Sequence, residues 1–215
     1  MRVLQLDVTD AASISEAVHA AGEIDALVDN AGVGLASILE GTPMDTVRAL
    51  FETNTFGAMA VTQAFLPQFR TRRAGVIVNV SSSVTLRPLP MLAAYSASKA
   101  AMNAFSESLA LELQAFSVRV RIVLPGRSPE TAFGENARAG MRENGVAIPE
   151  PYADFSRTVF EGMGRTTGPV TRSLDVAQAV WRAVNDPSSP ARLPAGEDAV
   201  EWSQNNAHPE TETVS

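Results

Sequence analysis

The sequence predicts an α/β fold in which helices cover a parallel sheet. Short apolar runs alternate with longer stretches of helical periodicity along the chain, as βαβ units require. The run Val76-Ile77-Val78-Asn79-Val80 is apolar enough to be buried on both faces. Three runs end in small or polar residues: Asp29-Asn30-Ala31-Gly32, Ser81-Ser82-Ser83 and Pro125-Gly126. Open parallel sheets gather their ligand groups at such strand ends.

The elements follow in order. Val3 to Leu6 reads as a short strand ending at Asp7-Val8-Thr9-Asp10. Asp10 or Ser13 is placed to cap a helix from about Ile14 to Ala21. Ile24 to Val28 is a second strand. A long helix from about Met44 to Phe69 follows, with Val47, Leu50, Phe51 and Met59 at helical spacing. The strand opened by Gly75 comes next, then a helix from about Ala94 to Phe116 and a strand from Arg119 to Leu124, stopped by Pro125-Gly126. Residues 127–171 are irregular and rich in Gly, Pro and Arg, with short helices expected near 131–141 and 152–161. A stretch of this length suggests a lid or a disordered segment. Leu174 to Val184 is a helix with Asp175 near its positive end. Ala191 to Gly196 forms a last strand or an extended arm. One domain over 1–202 and a polar, disordered tail over 203–215 are expected.

Composition narrows the function classes. The net charge of −7 argues against a nucleic-acid partner, which needs a basic surface. The absence of cysteine removes disulfides and thiolate chemistry and fits a cytoplasmic protein. With only His19 and His208 and no cysteine, no zinc or other metal site is expected. No apolar run approaches the ~20 residues of a membrane span, so no membrane partner is expected either.

The chemistry concentrates in Ser82 and Tyr95-Ser96-Ala97-Ser98-Lys99. Tyr95 and Lys99 stand four apart, so a helix carries both on one face, one turn from each other. A phenol titrates near ~10 in water, and a neighbouring ammonium favours its phenolate. The pair becomes a proton donor and acceptor usable near neutrality. Tyr-x-x-x-Lys alone is a common pattern and equally describes an exposed helical turn. Ser82 has its own plain reading as a strand-end turn, which Ser81 and Ser83 share. Asn54 lies mid-helix, where asparagine is a poor former, and such a mismatch hints at function.

Taken together, these residues resemble the short-chain dehydrogenase/reductase family, whose members move hydride between NAD(P) and alcohols or ketones. The resemblance covers nearly the whole chain: Asp7-Val8, Asn30-Ala31-Gly32, Asn54, Ser82 thirteen residues before Tyr95, Lys99, Pro125-Gly126 and Thr131. It implies a Rossmann-like doubly wound sheet. It assigns Tyr95 the proton transfer and Ser82 a hydrogen bond to the substrate oxygen. Lys99 would both lower the phenol's pKa and bind the nicotinamide ribose. Asn54 would hold a relay water. Asp7 and Val8 would meet the adenine, and Asn30, Ala31 and Gly32 the adenosine side. Pro125, Gly126 and Thr131 would meet the nicotinamide amide and phosphates. The helices at about 44–70 and 94–117 would pair subunits into a homodimer or homotetramer.

Two departures accompany the resemblance. Asp29 stands where the family often has asparagine. The family's opening strand and Gly-rich turn are not found; the first glycine is Gly22. The resemblance therefore sets residue 1 at the family's third strand, on the order of 50 residues in. Two strand–helix units are expected to be lacking and NAD or NADP binding to be weakened. The first strand would then pair directly with Ala26–Val28 or hang loose. Two functions follow: an NAD(P)-dependent oxidoreductase acting on a small alcohol or carbonyl substrate, or a catalytically silent fragment serving as a binding or oligomerisation module.

Overall fold

The computed structural model describes residues 2–165 and 168–205. Four strands form one parallel sheet in chain order: β1 (Ala26–Asp29), β2 (Gly75–Val80), β3 (Val118–Pro125) and β4 (Arg192–Ala195). Among the described residues the connecting and flanking α-helices are α1 (Ala11–Ala21), α2 (Met44–Phe51), α3 (Ala58–Arg72), α4 (Ala93–Leu113), α5 (Phe133–Glu143), α6 (Ala153–Arg165), α7 (Ser173–Asn185) and α8 (Glu197–Asn205).

The strands alternate their side chains between two cores, as a period of two demands. Leu27, Ile77, Val118 and Val120 pack with Val61, Phe65 and Phe69 of α3 and Leu109 and Leu113 of α4. Val76, Val78 and Val123 pack on the other face with Ala183 of α7 and with Leu193 and Ala195 of β4. Arg119 reaches from β3 to the end of α7, donating to the carbonyls of Ala183 at 3.1 Å and Val184 at 2.6 Å. A guanidinium there satisfies orphan carbonyls at the negative end of the helix dipole.

The expected strand at Val3–Leu6 does not form. Residues 2–6 carry no regular structure, and Val3 is 82% exposed. A strand exists only where a neighbour completes its ladder, and β1 pairs with β2 alone. Of the two outcomes expected for that segment, it hangs loose. Asp10 does cap α1, accepting from Ala12 N at 3.1 Å and Ser13 N at 3.2 Å. The long helix expected over 44–69 is not one α-helix: residues Glu52–Gly57 form a π-helical turn between α2 and α3. The final run forms strand β4. α8 extends through Asn205, beyond the expected boundary at 202. The rest of the expected tail, 206–215, lies outside the described residues. Among those described, no helix is long and apolar enough to cross a membrane.

Candidate active site

Ser82 follows the C-terminal end of β2, and Tyr95 and Lys99 lie in the first two turns of α4. All three are buried. The Ser82 hydroxyl lies near enough to the Tyr95 phenol to favour its phenolate. Ser82 Oγ also accepts from Val84 N at 3.3 Å, which fixes the turn after the strand. Lys99 reaches back across the sheet end and donates from Nζ to the carbonyl of Val80 at 3.0 Å.

Burial dominates the ionisation of both groups. The Tyr95 phenol is pushed up to about 12, with Ser82 only partly opposing the loss of water. Lys99 is brought down to about 8 by the same desolvation. The expected lowering of the phenol by its neighbouring ammonium is therefore not seen in this closed arrangement. The closure has a visible source. The ring of Phe133, at the start of α5, stands 6.0 Å from the Tyr95 ring. Leu35 and Leu50 form one buried cluster with Tyr95, and Met141 and Val146 pack against that cluster. Of the aromatic and methionine residues in the 127–171 stretch, Phe133 lies beside Tyr95 and Met141 packs against its cluster. Phe155 and Phe160 belong to α6.

Asn54 sits in the π-helical turn, a backbone irregularity that recurs at functional sites. Its side chain is committed to protein groups. Oδ1 accepts from Val33 N at 2.8 Å, while Nδ2 donates to the Val33 carbonyl at 2.9 Å and to Ser98 Oγ at 3.1 Å. Asn54 thus clamps both sides of the Val33 peptide. Gly32 lies beside it: a Cβ there would stand 3.2 Å from Asn54 Oδ1 and 3.3 Å from Lys99 Nζ. The structure therefore brings Gly32, Asn54 and Lys99 into one cluster, adjoining the Ser82–Tyr95 pair through α4.

The remaining expected residues sit around this centre in different ways. Asn30 and Ala31 are exposed on the loop beyond β1. The Asp7 carboxylate turns to Thr9, accepting from its N at 2.9 Å and Oγ1 at 2.7 Å, and is held below its usual range by those bonds. Val8 packs on Gly57, at the end of the π-helical turn. Pro125 closes β3 and Gly126 follows it. Thr131 donates to the carbonyl of Ser128 at 2.9 Å within its own turn. Sequence reasoning missed Ser98, which props Asn54, and Asp29 as a titrating group. Asp29 accepts from Thr62 Oγ1 at 2.9 Å, and burial pushes its carboxyl up to about 7. Serines inside a predicted helix, at 96 and 98, were the available signal for the first. Among the described residues no cluster of three or more His, Asp or Glu stands ready to hold a metal ion.

Comparison with known proteins places this chain in a family. The profile described as short chain dehydrogenase matches residues 1–142. An uncharacterized oxidoreductase of Schizosaccharomyces pombe is 33% identical over 204 residues, spanning 93% of this chain and 84% of that protein. Retinol dehydrogenase 8 of Bos taurus is 42% identical over 202 residues, spanning 89% of this chain and 63% of its own. A short-chain dehydrogenase structure from Streptomyces avermitilis superposes with a TM-score of 0.76 at 33% identity, covering 93% of this chain and 71% of that one. The closed form of a serine dehydrogenase complexed with NADP+ gives 0.74 at 27% identity, covering 89% and 74%. The chain belongs to the short-chain dehydrogenase family, and by that membership it is an oxidoreductase with a Rossmann-like fold.

Proposed function

We propose that this short-chain dehydrogenase interconverts an alcohol and a ketone or aldehyde with NAD or NADP, at a centre made of Ser82, Tyr95, Lys99 and Asn54. One observation carries the reading: the phenol of Tyr95 meets the hydroxyl of Ser82 in a buried position, one helical turn from the ammonium of Lys99. Two neighbouring hydroxyls at one strand end can converge on a single substrate oxygen.

The residues fit a nicotinamide dinucleotide. Lys99 carries three N–H donors and gives one to Val80, leaving donors for a ribose diol. The bare backbone of Gly32 permits close approach beside it. Pro125 and Gly126 would hold the nicotinamide end, and Asp7, Val8, Asn30 and Ala31 the adenosine end. When bound, the dinucleotide supplies the hydride exchanged with the carbon bearing the oxygen. The serine dehydrogenase holding NADP+ and an NAD+-bound xylitol dehydrogenase, similar at a TM-score of 0.73 and 26% identity, support this cofactor class.

Tyr95 gives its proton to the carbonyl oxygen in the reducing direction. A phenol at about 12 is fully protonated at neutral pH, the form this step needs. Ser82 donates a hydrogen bond to the same oxygen as charge develops there. Lys99 would hold the ribose of the dinucleotide beside the phenol. Asn54 acts as a brace, holding the Val33 peptide so that Gly32 stays against Lys99. Phe133, Met141, Leu35, Leu50 and Val146 give the substrate an apolar wall. The exposed Met44 of α2, Phe56 of the π-helical turn and Leu111 of α4 fit a homodimer or homotetramer, and the cysteine-free composition fits the cytoplasm.

Calorimetric titration with NAD+ and NADP+, followed by turnover on secondary alcohols, tests the reading. Saturable binding of one dinucleotide and formation of its reduced form are expected. The exposed helix faces also favour a silent oligomerisation module. That reading takes over if neither dinucleotide produces saturable heat while the chain still self-associates.

A further inference from the structure

Beyond β3 the chain turns a corner before leaving for α5, and two distant segments hold that corner. Gly126 N donates to Thr171 Oγ1 at 2.9 Å and to the Ala195 carbonyl at 3.2 Å. Arg127 N donates to Oδ2 of Asp198 at 2.6 Å. Thr171 N donates to the carbonyl of Arg127 at 2.9 Å. Thr171 Oγ1 also stands 2.7 Å from Asp198 Oδ1. Asp198 is 6% exposed and Thr171 fully buried. The carboxylate fills the space beside Gly126, where a Cβ would stand 2.2 Å from both of its oxygens. Only glycine fits there while Asp198 keeps its place.

A carboxylate is an acceptor only, so it imposes one direction on each donor that meets it. Charge-assisted N–H···O⁻ bonds are short and about twice as strong as neutral ones. Asp198 lies in the first turn of α8, where the helix dipole favours a negative charge. The same helix touches the other side of the reaction centre. Trp202 of α8 lies under the guanidinium of Arg87, 3.9 Å from the ring centroid, on the loop that follows the Ser82 turn. The two strand ends are themselves joined, with Ser81 N donating to the Val123 carbonyl at 2.8 Å.

We propose that Asp198 is a positioning residue of the active site: it orients the Gly126–Arg127 peptide, which carries the nicotinamide-facing corner and the start of the segment whose Phe133 covers Tyr95. This rests on the functional reading above. Asp198 touches neither Tyr95 nor Ser82 and acts through the corner alone.

The test compares the full chain with Asp198→Ala and Asp198→Asn. Amide hydrogen exchange is followed at Arg127 and Gly126, with Ile122 as an internal reference. Dinucleotide affinity is measured by titration, with NAD+ and NADP+ as probes. In Asp198→Ala, exchange at Arg127 should rise by about tenfold or more and dinucleotide affinity fall by about tenfold, while Ile122 keeps its protection. Asn keeps a carbonyl oxygen for Arg127 but loses the charge, and should shift both in the same direction by the smaller factor of about threefold. If Ala fails to fold, Asn carries the test, with exchange and affinity shifting together by about threefold. An Arg127 amide unchanged in the variants, or a variant that binds as tightly as the wild type, overturns this proposal alone. A wild-type chain that binds neither dinucleotide overturns the functional reading and this proposal with it.

Discussion

Against α7 the sheet presents Val76, Val78 and Val123 in an apolar core, and Arg119 meets only the carbonyls at the helix end. Against α3 and α4 it presents Leu27 and Ile77, but also Asp29 and Asn79, one register pair at the C-terminal ends of β1 and β2. Asp29 meets Thr62 of α3, and Asn79 Nδ2 donates to Ser106 of α4 at 2.7 Å. The first face only has to exclude water. The second also sets the depth of the helix that carries Tyr95 and Lys99. A buried polar contact has a direction that a methyl contact lacks, and it is costly when a partner is missing. Asn79 Oδ1 illustrates the cost, since it is buried with no hydrogen bond among the described residues.

That contrast can be tested by perturbing the polar face and then the apolar one. The largest effect belongs to Tyr95→Phe. Losing the phenolic proton should lower turnover by about 10²–10⁴-fold while dinucleotide affinity stays close to wild type. Steady-state kinetics alongside a binding titration checks this, and near-normal turnover would remove Tyr95 from the chemistry.

Asp29→Asn is next, and its sign depends on pH. The folded carboxyl titrates near about 7 and the unfolded one at 3.8. Between those values the folded chain holds the extra proton, so stability falls as pH rises through the window, and the full cost is present above it. Asparagine keeps an acceptor for Thr62 and carries no charge. The variant should exceed the wild type by about 2–4 kcal/mol at pH 8 and match it near pH 4. Denaturant midpoints across that range decide it, and a gap independent of pH would contradict the burial argument.

Val123→Ala, on the apolar face, should cost about 2 kcal/mol through lost transfer energy and a cavity. Because its environment is purely packing, the kinetic constants and their pH dependence should stay as in the wild type. Altered kinetics in this variant would mean that the two faces are coupled.

How much was legible in advance depended on distance along the chain. Tyr95 and Lys99 share a face because α-helical geometry is local. The Ser82 turn was placed by an apolar run that can only be a buried strand. Asn54 gave a partial signal: a poor helix former mid-helix marked the place where the backbone widens into a π turn. Val3–Leu6 misled, because its pattern suits a strand while a strand also needs a neighbour, which the pattern does not encode. Asp198 was invisible as a site residue. In sequence it is one acidic residue at a helix start, and its partners Arg127 and Thr171 lie far away along the chain.

By itself, then, the amino-acid order determined the alternation of strands and helices, the helical pairing of phenol and ammonium, and the family. These follow from short-range periodicity and residue chemistry. Tertiary structure alone decided that Lys99 turns to Val80, that Asn54 clamps Val33, that burial with Leu35 and Leu50 raises the pKa of Tyr95, and that Asp198 holds the corner beyond β3. Each of those depends on desolvation and on hydrogen-bond partners from segments distant in sequence, and such contacts exist only after the chain has packed.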